Sequence, residues 1–482
     1  MRQLYQACAA PIVNYTSTVW HNLLKDKTHL RSLQTVQWTA LICILSAFKT
    51  ASTTTLEIES YLLPTHLRLK HHAQILAACL STLPHDHPAR TVVERAKIRN
   101  RHIGLGHRFP LAETLRTMGL DRLQALEIID PKPQPPWQTP AFMEIEIEPD
   151  HKKVQAESLI RQAAPSITVY TDTSGQQNNL GVAAVALDKN NNIIQSQQIC
   201  VRSMEYWSVY AAELMVIYYA VSLVLQLAMT NNNPPITQHE PTTILSDSMS
   251  ALQAIVSLRN KSGQHIIQAI THSARELDAR GIPLHLQWVP GHCSNPSNKA
   301  ADQLAKKAVS PNKKHPFQHL LSREKGFIRH RIQKQWENEW RTSPKGGHLR
   351  RIDKNLPSIH TRRLYGPLPR NRAYLLTQLR TGHSWLATHT KLHHFRDDDK
   401  CKCGAPETVV HILVDCPKLK GLHQTLQRKI RTAFNNITDI LGGGSQGKQG
   451  KQDDMQDSSV LGTILDFTEA SQRFQSHTPL GC

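Results

Sequence analysis

The chain is short of acid, of clustered cysteine and of long apolar runs, and each shortage narrows what it can be. Its longest apolar stretch, residues 214–229 (LMVIYYAVSLVLQLAM), falls short of the roughly 20 residues that a membrane span needs, and Glu213 abuts it. A buried core helix is expected there, with no transmembrane segment and no membrane partner. The N-terminal MRQLYQACAAPIVNY lacks the apolar centre of a secretory leader, so a secreted protein is not expected. Nine cysteines are spread thinly, and only Cys401, Cys403 and Cys416 lie close in sequence. That spacing argues against a disulfide framework and suits reduced thiols in a nuclear or cytoplasmic setting, with one candidate metal cluster. Asp and Glu number 38 against 57 Lys and Arg, a net charge of +19. An excess of that size points to a polyanionic partner, nucleic acid before anionic membrane.

The cationic surplus is local. Residues 311–400 hold 20 Lys/Arg and 7 Asp/Glu, which is also what a soluble basic linker would show. At 482 residues the chain exceeds one ordinary core. Residues 1–130 read as mostly helical, and His21, His29, His66, His71 and His72 there show no ligand spacing. Residues 131–164 change character: PKPQPPW followed by EIEIEPD reads as a Pro-rich extended linker. Residues 165–310 alternate, with strand-like runs at 167–172, 180–187, 193–201, 243–247 and 284–289. Helix-period segments occupy 207–229, 248–258, 264–280 and 298–309. Three strands in succession, then helices interleaved with two more, predict an α/β fold: a five-stranded mixed sheet flanked by helices. Helical regions flank it on both sides. Residues 311–435 form a basic helical region, and 436–482, opening on GGGSQGKQGKQDDMQDSS, are expected to be largely disordered.

Four acids fall where this order of elements can gather them. Asp172 is expected to end the first strand, in ITVYTDTSG, and Asp247 the fourth, in ILSDS. Glu213 is a lone acid on an apolar helix, and Asp302 lies on the last helix. Taken singly each has a plain explanation; Asp247, for example, is a good N-cap for the helix after it. Together they make a pocket of converging negative charge, which a hard cation such as Mg²⁺ neutralises.

The stretches YTDTSG, AAELMVIYYAV, ILSDSMSALQAI and WVPGHCSNPSNKAADQLAKKA resemble, in order and spacing, the ribonuclease H domain of the type 1 fold. The resemblance covers about residues 165–310. It implies that Asp172, Glu213, Asp247 and Asp302 hold two Mg²⁺ ions, with Mn²⁺ as a substitute, and that Asp172 bridges them. It implies that His292, in the VPGHC loop, assists proton transfer or product departure. The implied reaction is two-metal hydrolysis of the RNA strand in RNA–DNA hybrids, leaving a 5′ phosphate, with the RNA strand recognised through its 2′-hydroxyls. The sequence departs from the family at Thr173, where Gly is usual, at Ser297 and Lys299 in place of Gly and Glu, and in the turn after His292. Only RNKSG joins the two middle helices, so grip on a hybrid is expected from residues 311–400.

Cys401, Cys403, His411 and Cys416 form C-x-C-x₇-H-x₄-C, a closed ligand set suited to structural Zn²⁺. With LLTQLRTGHSWLATHTKL before it, this segment resembles the region after ribonuclease H in fungal and insect non-LTR retrotransposon polyproteins. LYQACAAPIVNYTSTVWH and LEIESYLLPTHLRLK resemble the thumb and connection after a reverse transcriptase palm. The palm's aromatic-x-Asp-Asp hairpin is matched only by Phe395–Asp398, in a polar stretch without apolar strands, and is rejected. The expectation is therefore a C-terminal piece of a retroelement reading frame whose partners are an RNA–DNA hybrid and a reverse transcriptase palm or element RNA. It is expected to act as a metal-dependent ribonuclease. The competing expectation is a catalytically inactive remnant that only binds nucleic acid.

Overall fold

The computed structural model describes residues 1–15, 17–20, 27–101, 110–132, 135, 137, 139–148, 150, 167–188, 190, 192–229, 242–257, 259–291, 296–310, 315–442 and 451–475. The chain divides into two compact units: Gln74–Arg329, and Met1–Ala73 with His330–Cys482.

The Gln74–Arg329 unit is built on a mixed sheet. Its strands are β1 (Glu144–Glu146), β2 (Thr168–Gln176), β3 (Asn179–Leu187), β4 (Ile193–Ser203), β5 (Thr242–Ser246) and β6 (Leu284–Trp288), in the order β1-β6-β5-β2-β3-β4. β2, β3 and β4 are antiparallel neighbours, while β2, β5, β6 and β1 pair in parallel. The sheet therefore has six strands where five were expected. The extra one comes from EIE, inside the segment read as linker. Ile145 pairs with Leu286, and the flanking glutamates leave a charged edge that discourages further pairing.

The Val209–Met229 helix packs its apolar length against one face of the sheet, with Leu214, Met215, Val216, Ile217, Val221 and Val224 buried. By length and composition it is the one helix among the described residues that could cross a membrane, yet its apolar surface lies in this core. The Pro296–Lys307 helix covers another cluster, with Ala301 packed among Tyr170, Val185 and Leu245. Its approach to the sheet depends on Gly181, where an added Cβ would lie 2.5 Å from the Ala305 carbonyl oxygen.

This unit begins well before the expected domain start at 165. Leu126 bridges to His319, and fully buried Glu127 accepts from the backbone N–H of Gly263 and of Leu321, each at 2.7 Å. One buried acid thereby ties the pre-linker segment into the same body, so residues 1–130 do not form one region.

The other unit is helical. Its core includes Leu376, Leu379, Ile412, Leu413 and Ile440. The Lys451–Ser471 helix joins it, burying Leu461, Ile464, Leu465 and Phe467, followed by Phe474. The expectation of a largely disordered 436–482 tail fails over this stretch, because LGTILDF places apolar residues at helical spacing behind the polar run. Arg380 is fully buried in this unit, with Nε 2.9 Å from Glu59 and Nη2 3.0 Å from Asp353. Some of the basic segment's charge is therefore internal structure and is not available to a ligand.

Candidate functional site

The parallel ladder between β2 and β5 ends at the Tyr170–Leu245 pair, and both strands carry an acid two residues further on. On β2 that acid is Asp172. It does not end its strand, as expected, because β2 continues to Gln176 in register with β3, and Asp172 sits opposite Ala183. On β5 the acid is Asp247, one residue past the strand. This is the carboxyl edge of the parallel strands, where open α/β sheets leave a crevice for ligands.

Asp247 does not cap the next helix. Ser248 does, its hydroxyl accepting from the Ala251 N–H at 3.4 Å. The Asp247 backbone carbonyl instead accepts from the Trp288 indole N–H at 3.0 Å. The loop after β6 then folds over its carboxylate: a Cβ at Gly291 would come 2.9 Å from Oδ2. His292 follows at once, and it lies outside the described residues.

Glu213 sits in the second turn of the Val209–Met229 helix and is 8 % exposed. The Thr173 hydroxyl donates to its Oε1 at 2.5 Å, and Oε2 has no hydrogen-bond partner among the described residues. Burial pushes the Glu213 carboxyl up to about 8, with the charges of Asp247 and Asp172 adding to the rise and Thr173 opposing it. Replacing the proton with a hard divalent ion would satisfy the Glu213 oxygen that has no partner among the described residues and offset the neighbouring negative charges of Asp172 and Asp247. The donor set fits Mg²⁺ or Mn²⁺.

Asp302 is placed differently. It lies on the Pro296–Lys307 helix, with Oδ2 2.6 Å from the Lys306 ammonium one turn on. The side chains of Ser297 and Lys299 lie outside the described residues. Asp172, Glu213 and Asp247 thus share one electrostatic neighbourhood, while Asp302 is paired locally.

Residues 164–310 match the family model described as RNase H. This segment is an RNase H domain. Solved structures similar to the chain include the N-terminal RNase H domain of a Mycobacterium tuberculosis protein, at 16 % identity, covering 30 % of this chain and 94 % of that one with a TM-score of 0.23. RNase H1 from the archaeon Halobacterium salinarum is similar at 16 % identity, covering 30 % of this chain and 97 % of that one with a TM-score of 0.23. LC11-RNase H1, isolated from compost, is similar at 17 % identity, covering 30 % and 96 % with a TM-score of 0.25. No curated protein matches the chain.

Outside the RNase H domain, the four residues of the Cys/His motif converge. Cys401 Sγ lies 3.7 Å from Cys416 Sγ, and Cys403 Sγ lies 3.2 Å from His411 Nε2. A tight turn makes this geometry, with Cys401 N–H donating to the Ala405 carbonyl at 2.8 Å and Gly404 at φ +92°. Burial pushes the Cys416 thiol up to about 11, and the neighbouring Cys401 adds to the rise. Three sulfurs and an imidazole nitrogen within 4.8 Å of one another match the soft donor set of a closed zinc site.

Sequence reasoning passed over two features. Thr173 registered only as a departure from Gly, although its hydroxyl is what holds Glu213. His383, His389 and His393 also bring their ring nitrogens within 4.8 Å. The signal for them was the H-x₅-H-x₃-H spacing, whose second pair is one helical turn apart.

Proposed function

We propose that the RNase H domain is a divalent-metal-dependent endonuclease that cuts the RNA strand of RNA–DNA hybrids. The observation that carries this is Glu213: a buried carboxylate with one oxygen that has no partner among the described residues, beside the charges of Asp172 and Asp247 at the open edge of the parallel strands. In this reading Asp172, Glu213 and Asp247 hold the cations, and Asp302 joins them after exchanging Lys306 for an ion. The bound pair of ions would supply a hydroxide nucleophile and stabilise the leaving 3′ oxygen of the phosphodiester. Thr173 fixes the Glu213 rotamer, Gly291 lets the backbone close on the Asp247 carboxylate, and His292 serves proton transfer, as the family resemblance implies. Exposed Lys and Arg of residues 311–400 give salt-dependent grip on the duplex. The Cys401/Cys403/His411/Cys416 cluster takes one structural Zn²⁺. The motif resemblances favour a retroelement origin.

The Lys306–Asp302 ion pair favours a second reading, an inactive domain that binds hybrid without cutting it. The test compares cleavage of an end-labelled hybrid in Mg²⁺ by the full chain and by Asp172→Asn and Asp247→Asn. Cleavage by the wild type alone, with binding kept in all three, supports the enzyme. An intact hybrid that is still bound by the wild type would establish the second reading. For the cluster, the full chain should hold one zinc fewer after Cys403→Ser, and unchanged metal content would remove zinc from that site.

A further inference from the structure

We propose that His383, His389 and His393 form a second transition-metal site, of the class that binds Zn²⁺ through three imidazoles and leaves one position open. It lies in the helical unit and involves none of the residues assigned above.

The sequence sets up the convergence. The Arg370–Thr381 helix stops at Gly382, whose φ of +76° turns the chain and presents His383. Six residues later the short Ala387–Leu392 helix carries His389, and His393 follows one turn on, at its C-cap. His383 Nδ1 lies 3.1 Å from His389 Nε2. A tetrahedral ion with Zn–N bonds of about 2.0–2.1 Å spaces its nitrogens about 3.3 Å apart, so the pair already stands close to ligand spacing. The third ring is near: the His389–His393 centroids are 4.6 Å apart and the His383–His393 centroids 6.1 Å.

The protonation pattern also fits a cation. His389 Nδ1 is 2.7 Å from the Ser384 carbonyl, which can only accept. Nδ1 therefore carries the hydrogen and Nε2 presents its lone pair inward, as the outer-shell partner of a metal-bound histidine does. His393 Nε2 is buried and has no hydrogen-bond partner among the described residues. An internal hydrogen bond can satisfy the His383–His389 pair, but it leaves His393 Nε2 unmatched.

The surroundings suit a fixed site. The Thr50 hydroxyl stands 3.0 Å from His383 Nδ1 and 3.1 Å from His389 Nε2, where a fourth ligand or the water replacing it would sit. Phe48 packs edge-on against the His389 ring at 5.5 Å, limiting solvent on that side. A metal here would clip the Thr50 turn to the two segments that carry the histidines.

The experiment uses the full chain, stripped of metal and titrated with Co²⁺ alone and with Zn²⁺ alone. In the wild type, one equivalent of Co²⁺ should bring thiolate-to-cobalt charge transfer from the Cys/His cluster. A further equivalent should add visible ligand-field bands without that charge transfer. His393→Gln, at a half-exposed position, should lose one equivalent of either metal while keeping the thiolate band, which also reports that the unit is folded. His389→Ala should lose the same equivalent. If His393→Gln binds as many equivalents as the wild type, with the thiolate band intact in both, the histidine site does not exist. Hybrid cleavage by these variants is expected to be unchanged, so failure here is distinct from failure of the nuclease reading.

Discussion

Two buried glutamates, one in each unit, show how the same side chain becomes structure or site. Glu59 is 1 % exposed and Glu213 is 8 % exposed, and both lie on helices with few other charges. Glu59 has its cation built into the chain: Arg380 sits against it at 2.9 Å, and the Tyr365 hydroxyl donates to it at 2.7 Å. Burial opposes the Arg380 charge, but Glu59 more than restores it and holds the guanidinium protonated. Among the described residues Glu213 has as hydrogen-bond partner only the Thr173 hydroxyl, with two further acids nearby. Where the fold supplies the counter-charge, the acid is a strut. Where it supplies more negative charge, the acid is suited to a cation from solution, as proposed above.

The strongest way to break this contrast is chemical. Asp172→Asn or Asp247→Asn removes a negative charge beside Glu213 and, under the proposed reading, should lower hybrid cleavage on the order of 10³-fold, the scale of several kcal/mol of transition-state stabilisation. Hybrid affinity, read by fluorescence anisotropy, should change little. On the other side, Arg380→Ala leaves Glu59 buried without its partner and should destabilise the helical unit by about 3–5 kcal/mol. Denaturant unfolding followed by tryptophan fluorescence would read this, since Trp336 and Trp340 are buried in that unit.

Glu57 sharpens the comparison as an intermediate case. It is buried on the same helix as Glu59, but its close partner is the neutral Gln37 amide at 2.6 Å. Burial pushes it up to about 8, with Gln37 and Arg68 opposing the rise. Because the folded value lies above the unfolded one, the folded state binds the extra proton. The stability this gives is complete below about pH 4.5 and is lost as pH rises toward about 8. Glu57→Gln should flatten that dependence by about 1–3 kcal/mol across the interval, measured as unfolding free energy against pH. The smallest effect is expected at Thr173. Thr173→Gly restores the residue usual in the family but frees Glu213 to rotate, and should lower cleavage about tenfold, as for loss of one hydrogen bond to a charged group. An equal or faster rate would show that the hydroxyl does not position Glu213.

Much of the RNase H domain could be read from residue pattern alone. Strands β2 to β6 and the helices between them show as β-branched or apolar runs and as 3.6-residue spacing, since the sheet is covered on both faces and β3 and β5 are buried over almost their whole length. β1 escaped because two of its three residues are Glu, and its only apolar side chain finds a partner 141 positions later, across the sheet at Leu286. The Lys451–Ser471 helix escaped because its first half is polar enough to read as disorder, while its second half is held by tertiary contacts. In the site, Asp172 and Asp247 were visible as acids at expected strand ends, and Glu213 as a lone acid on an apolar helix. The pairing of Asp302 with Lys306 and the grip of Thr173 on Glu213 depend on rotamers and distances that spacing does not encode. The same holds for the three histidines, whose convergence rests on one left-handed glycine.

The central claim is that Glu213 is destabilising until a cation arrives. The direct measurement is the melting temperature of the full chain and of Glu213→Gln, each stripped of metal and then saturated with Mn²⁺, at a pH above 8. The account predicts that Glu213→Gln melts higher than the wild type without metal, because a neutral amide replaces a carboxylate held at about 8. It predicts that Mn²⁺ raises the wild type and leaves the variant nearly unmoved. A variant that melts lower without metal, or that gains as much from Mn²⁺ as the wild type, would contradict it.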